Sequence, residues 1–354
     1  MSSGHGGSQV SNEEPAAGNR IEPGLILRIL LATFLVSAAL YFARVVFEPI
    51  AFALFGMALV WPFQKALEAR LPKAVALGLT ILLALLVILV LAAAIVWSID
   101  DVVHWAIANV ARFQSLYARW TQWLDGRGIH VSEGLGQYDV RTFISVLQTI
   151  ASEANSLVGF CLIVFLLMTF GLTELVSFRV RLEALAPGIG RDTSRMAAEI
   201  AGKIRKYMLI RTLASALTGL AVFVFTLSIG LELAIAWGII SFVVNYIPFL
   251  GTLIAVALPV LFASVQFESW QMVVFVFGSL YLIQFLIGSY LEPIIAGRTL
   301  AISPLVMLLA FFFWAFLWGI PGAFIGIPVT IALLAICEQN RSLNWLARLL
   351  SAPD

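Results

Sequence analysis

Few side chains in this 354-residue sequence are placed to do chemistry, and those that are sit in apolar surroundings. Asn245 opens the stretch Asn-Tyr-Ile-Pro-Phe-Leu-Gly that ends at Gly251, midway along an apolar run from Leu233 to Phe267. An amide brings two donors and an acceptor. Pro248 withholds a backbone donor and clashes with the turn before it, and Gly251 permits the chain to reverse. The device recurs at Gly319, Pro321 and Gly322, in the middle of the run Pro304–Ile336. Each run carries a further proline beyond its break, Pro259 and Pro328. A helix broken this way exposes unpaired N–H and C=O groups, and two opposed broken helices form a polar site within an apolar medium. Asn245, Pro248, Gly251, Gly319, Pro321 and Gly322 are therefore the candidate contacts for the hydroxyl or carbonyl groups of a small polar solute.

Glu292, followed by Pro293, is the one acidic residue close to these breaks that could relay a proton or cation. Ser289 and Gln284 lie about one and two helical turns nearer the apolar run and are its candidate partners. Glu48, Glu174, Glu232 and Glu268 fall at the edges of apolar runs, where solvation accounts for them. The three histidines are scattered, and no HExxH, CxxC or Walker-type sequence occurs. Cys161 and Cys337 lie far apart in apolar segments and read as small hydrophobes. No nucleophile–base pair or metal-ligand set can be assembled. The reading is of a non-enzyme that needs no cofactor and no metal.

The elements that must position these residues follow from composition. The chain is 61% hydrophobic and 12% charged, where soluble domains are about half apolar and a quarter charged. It reads as an all-α integral membrane protein. Apolar runs of about 20 residues are needed to cross ~30 Å of hydrocarbon. Full spans are expected at Gly24–Phe42, Val46–Phe63, Ala74–Trp97, Leu157–Leu175, Leu209–Gly230 and Met272–Tyr290. The runs broken at their middles read as re-entrant hairpins, 231–268 and 303–337, with arms of roughly 20–25 Å. Non-helical backbone at membrane depth survives only inside protein or beside a wet cavity. Counting the hairpins simply as spans gives eight.

The remaining segments organise around these spans. Residues 1–23, rich in Gly, Ser, Asn and Glu, read as a disordered cytoplasmic tail, and 24–97 hold the first three spans. Residues 98–155 carry most of the polar variety. Val103, Ile107, Val110, Tyr117, Trp120 and Leu124 recur there at helical spacing, and the Asp-Gly-Arg-Gly at 125–128 ends the pattern. The segment reads as an amphipathic helical insert outside the membrane or at its surface. After the span at 156–175, the segment 176–208 is dense in arginine and lysine, as is the short loop holding Lys65, Arg70 and Lys73. Basic loops stay in the cytoplasm, so both termini are expected inside, with 209–337 as the transport region and 338–354 as a cytoplasmic tail. The net charge of +1 and the lack of a basic patch leave nothing to bind nucleic acid.

The stretches Asn-Tyr-Ile-Pro-Phe-Leu-Gly-Thr-Leu-Ile-Ala at 245–255, Leu-Glu-Pro-Ile-Ile-Ala-Gly-Arg-Thr-Leu-Ala-Ile-Ser-Pro-Leu-Val at 291–306 and Trp-Gly-Ile-Pro-Gly-Ala-Phe-Ile-Gly-Ile-Pro-Val at 318–329 resemble the hallmark motifs of the autoinducer-2 exporter family of bacterial permeases. The order of elements over about residues 25–340 is similar to that family as well. The resemblance implies a permease of the bacterial plasma membrane that exports a small furanosyl signalling molecule or a related solute. It implies a ring-like homo-oligomer, a pentamer, whose protomers transport independently by elevator movement of the hairpins. Carried over residue by residue, Asn245, Pro248 and Gly251 match the first tip, Gly319, Pro321 and Gly322 the second, and Glu292-Pro293 the linking turn.

Two other readings remain compatible with the residues. A monovalent cation/proton antiporter would use Glu292 as its titrating group and couple to protons or sodium. A non-transporting membrane scaffold would dock partners on 98–155.

Overall fold

The computed structural model describes residues 23–128, 140–185, 187–296, 303–339 and 344–350. These are helical almost throughout, with no strand among the described residues. The helices are α1 (Pro23–Phe42), α2 (Arg44–Glu68), α3 (Lys73–Ala108), α4 (Val110–Asp125), α5 (Val140–Leu185), α6 (Pro187–Ser228), α7 (Ala234–Val244), α8 (Leu250–Phe267), α9 (Trp270–Phe285), α10 (Glu292–Ala296), α11 (Pro304–Gln339) and α12 (Asn344–Leu350). A π-turn, Leu286–Leu291, joins α9 to α10. Among the described residues seven helical stretches are long and apolar enough to cross a membrane. The protein is an all-α integral membrane protein. The chain divides after Ala43: α1 belongs to one compact unit, and α2 onward to a second.

Helices α2, α3 and α5 pack around Ala53, Ala84, Val164, Met168 and Leu172. Small residues admit close approach here, for the Met168 sulfur rests against Gly56 and the Met57 side chain against Gly171. On the far side of α3, Leu82, Leu86 and Val90 recur four apart and are exposed, a face suited to lipid. Several helices outrun the bilayer. At 36, 46 and 42 residues, α3, α5 and α6 reach ~54, ~69 and ~63 Å at 1.5 Å per residue. The span expected to end at Trp97 runs on to Ala108, and the basic segment is helix on both sides of residue 186, continuous with the next span. Hydrophobic runs mark where a helix is in lipid, not where it stops.

The insert is therefore not one amphipathic helix. Asn109, at φ −106° and ψ 20°, interrupts it, and its side-chain amide donates to the Trp105 carbonyl. Val103 is buried at the end of α3, whereas Ile107 and Tyr117 are exposed and α4 buries Phe113. Trp120 and Trp123 form an exposed edge-to-face pair, with Arg127 stacked 3.9 Å over the Trp123 ring. Residues 129–139, including Glu133 and Asp139, lie outside the described residues, as do 297–302 of the turn after Glu292.

Both broken runs fold back on themselves. The first leaves α6 through Gly230 and Leu233, both at positive φ, descends as α7, breaks at 245–249 and returns as α8. The return arm ends at Glu268, again at positive φ. The arms are unequal, 11 and 18 residues, or ~16 and ~27 Å, rather than two equal halves. The tip comes early because Asn245 and not Gly251 ends the first arm. The second run breaks at Gly319, whose φ of 63° and ψ of −138° suit glycine alone. Trp314 and Thr330, sixteen positions apart, are joined by a 3.0 Å bond from the indole Nε1 to the hydroxyl. A straight helix would hold them ~24 Å apart, so α11 is a hairpin.

Candidate functional site

Helix α6 is the axis on which both hairpins are seated. At its upper end Gly219 faces Gly238 of α7, and a methyl group added at Gly219 would stand 2.7 Å from the Gly238 carbonyl oxygen. This small-residue contact lets the first hairpin lie against α6 backbone to backbone. Toward the other end of α6, Ile204, Tyr207 and Met208 pack with Ile327 and Ile331 of the second hairpin. Lys203 bonds Glu338, where that hairpin closes. The hairpins thus enter from opposite ends of α6 and meet partway along it.

Their junction is aromatic and apolar on one side and polar on the other. Tyr246 stacks on Phe324 at 5.2 Å and 25°, and Phe324 stacks in turn on Phe52 of α2. Ile247 packs with Phe311 and Ala323. On the polar side, the Asn245 amide Nδ2 donates to the Ser215 hydroxyl at 3.1 Å, both groups buried, and the Tyr246 hydroxyl donates to Thr212 at 2.8 Å. Thr218 and Ser241 are buried with hydroxyls that find no partner. Buried polar atoms are nearly always bonded, and these two hydroxyls, one on α6 and one on α7, depart from that rule.

The expected site residues fall into three sets. Asn245 lies at the junction with its amide turned to α6, while Pro248 is half-buried and Gly251 buried in the first tip. A side chain at Gly251 would run into the Val244 carbonyl, and one at Gly322 into the Trp314 carbonyl, so these glycines close the hairpins rather than line a cavity. Gly319 is exposed with open space around it, beside exposed Ile320 and half-buried Pro321. Glu292 is engaged by Arg211 of α6, whose Nη1 stands 2.8 and 2.9 Å from the two carboxylate oxygens. Neither Gln284 nor Ser289 is its hydrogen-bond partner: Gln284 is buried with its amide nitrogen unpaired, and Ser289 is exposed on the π-turn.

Sequence reasoning passed over Arg211, Thr212, Ser215 and Thr218. The signal was present: Arg211, Ser215 and Thr218 stand at i, i+4 and i+7 within an otherwise apolar stretch, one polar stripe on one helix face. An open groove of about 400 Å³ between α3, α6 and α7 is lined by Leu91, Gly219, Phe223 and Phe242 and presents almost no polar surface. It belongs with the lipid face and not with this chemistry. Among the described residues no cluster of three potential metal ligands occurs.

Two helical hairpins that meet on a polar face of α6 define the architectural class, an all-α multi-pass membrane protein with broken helices. The chain belongs to the AI-2E transporter family, whose description as "AI-2E family transporter" matches residues 29–342. It is 28% identical over 228 residues to the AI-2 transport protein TqsA of Escherichia coli K12, which is 63% of this chain and 65% of that one. A protein of Borreliella burgdorferi with the provisional name of transport protein is 36% identical over 197 residues, 54% of each chain. The chain thus spans between half and two thirds of the length of these curated relatives.

Proposed function

We propose that this protein is a secondary transporter of the bacterial inner membrane that exports a small polar organic solute, of the class of the furanosyl autoinducer. The solute binds where the hairpin tips meet on α6 and gains access to alternate sides as the hairpins move against the α2, α3 and α5 scaffold. One observation carries this reading: tips entering from opposite ends of α6 meet beside a buried Asn245–Ser215 pair and the unpaired hydroxyls of Thr218 and Ser241. A hydroxylated solute exchanges its hydration for these groups, and either hairpin can withdraw without unfolding the other. The name of TqsA supports the solute class, and the resemblance to the family supports assembly as a homo-oligomer in the bilayer.

The test is flux of autoinducer-2 into proteoliposomes, beside sodium and lithium as controls. Asn245→Leu keeps the volume but leaves Ser215 buried without its partner, at ~1–3 kcal/mol, and removes the solute contacts. Autoinducer flux is expected to fall at least about tenfold, with cation movement absent in both proteins. Unchanged flux in a well-folded Asn245→Leu protein would sink the hairpin-tip assignment. Sodium flux abolished by Glu292→Gln would instead promote the antiporter, in which a cation must first displace Arg211 from the carboxylate.

A further inference from the structure

The Arg211–Glu292 pair is not accounted for by a site that binds only neutral hydroxyl groups. Arg211 lies one turn before Ser215, the partner of Asn245, and next to Thr212, the partner of Tyr246, so its side chain leaves α6 beside both, and its charge acts on Tyr246. It is nearly buried, 11% exposed, and Glu292 is 23% exposed. Only Nη1 serves Glu292, which meets it end-on rather than as a two-pronged fork, while the buried Nε has no partner. Guanidinium is the residue of choice for fork-shaped recognition of carboxylates. A nearly buried guanidinium with an unused N–H, on the helix face that carries Ser215, has room in its bonding for a second anion.

We propose that Arg211 and Glu292 form a proton-linked anion site, at which the carboxylate of a small polyhydroxylated acid takes Arg211 as Glu292 takes up a proton. This rests on the transport reading and widens its solutes beyond the furanosyl autoinducer to a second class: a hydroxy acid, its carboxylate on Arg211 and its hydroxyls on Thr212, Tyr246, Ser215 and Asn245. Charge balance gives the reason for the proton. The empty site holds one cation and one carboxylate, and is neutral. The loaded site holds the Arg211 cation, the solute anion and a neutral Glu292 carboxyl, and is neutral again. Loading without the proton would bury a net negative charge, and an uncompensated charge in such surroundings is strongly disfavoured. One proton from water therefore enters with each anion and leaves with it, and the cycle moves no net charge.

The groups around Glu292 fit this exchange. From α6, Arg211 and Tyr207 face it, with Tyr207 buried and within Coulombic range of both charges. The π-turn ahead of it carries Tyr290, which is exposed. Its wider turn sits immediately before Glu292, and such π elements are frequent at functional sites.

Three probes that share a six-carbon polyol chain and differ only in charge separate the alternatives: gluconate, sorbitol and N-methylglucamine. Binding to the purified full-length protein is measured by calorimetry across a pH series. Gluconate is expected to bind more tightly than sorbitol, and N-methylglucamine least. Because one proton is taken up, gluconate affinity rises about tenfold for each unit that pH falls while Glu292 is ionised. Glu292→Gln mimics the protonated carboxyl, so gluconate binding persists at neutral pH and loses its pH slope. Arg211→Gln alone strands Glu292, so the double variant Arg211→Gln/Glu292→Gln serves as the folded control and loses the preference for gluconate over sorbitol. Equal binding of gluconate and sorbitol, both lost in Asn245→Leu, would overturn the anion site while leaving the hairpin site standing. A pH slope retained in Glu292→Gln, or no binding of any probe, would overturn it outright.

Discussion

At Gly251 and Gly322 a hydrogen stands where any other residue would drive a carbon into a backbone carbonyl, Val244 in the first tip and Trp314 in the second. Backbone cannot swing aside as a long side chain can, so the arms must part. Gly251→Ala and Gly322→Ala are each expected to cost ~1–3 kcal/mol, read as a lower melting temperature of the purified protein. Gly278 has nothing within 4 Å and sits inside α9, so Gly278→Ala is expected to be neutral or to gain up to ~1 kcal/mol. A fall as large at Gly278 would mean that the tips are not specially tight. The site was half legible in the sequence for the same reason that its glycines matter. Asn245 announced itself because proline and glycine beside it cannot belong to an ordinary helix. Ser215 and Arg211 announced nothing singly, because their meaning lies in which helix face they share and in what the fold lays against it. Glu292 was visible as a carboxylate, but its partner is 81 positions away in the sequence, a pairing that only the packing of α10 on α6 creates.

Elements show which interaction holds the first hairpin to the insert. Three kinds cross that boundary, a hydrogen bond among them; the two to compare are an ion pair from Arg119 of α4 to Glu268 at 3.1 Å and an aromatic cluster that joins Trp105, Phe113, Trp237 and Phe262. Both members of the ion pair are about half exposed, and such pairs are worth ~0–1 kcal/mol. Phe262 is 2% exposed and touches three rings, two of them at 4.8 Å between centroids. Its loss as Phe262→Ala is expected to cost ~3–5 kcal/mol, against under ~1 kcal/mol for Arg119→Ala. Chemical unfolding of the two variants checks the ordering, and a larger effect at Arg119 would reverse it. Trp105 adds a hydrogen bond to Glu232 at the hairpin's base, and Gln266 bridges the Glu232 amide to the Gly230 carbonyl. The hairpin base is therefore fastened to the insert, while the tip is held by α6 and by the second hairpin. The spans themselves were legible from hydropathy, because lipid demands a continuous apolar run. The extensions of α3 and α5 were not, because beyond lipid a helix needs only packing and local propensity to continue.

For the whole molecule, the decisive quantity is which side each end of α6 faces, since it sets which hairpin opens to the cytoplasm. Basic residues are the guide: Arg195, Lys203, Arg205 and Lys206 crowd the half of α6 that seats the second hairpin, and Lys65, Arg70 and Lys73 gather where α2 gives way to α3. Positive charge is retained on the cytoplasmic side during insertion. The other ends, where Asp100, Asp101 and α4 lie, carry no such excess. The second hairpin is thus expected to be based on the cytoplasmic side and the first on the outer side. Single cysteines at Ser115 and Arg195, both exposed, report this in a background with Cys161 and Cys337 replaced by alanine. A membrane-impermeant maleimide added to intact cells is expected to label position 115, and to reach position 195 only after the membrane is opened. The reverse pattern would exchange the two gates, so that export as proposed here would start from the Asn245 hairpin. Labelling of both positions in intact cells would mean that α6 does not cross as a single helix, and the meeting of the tips along it would lose its meaning for transport.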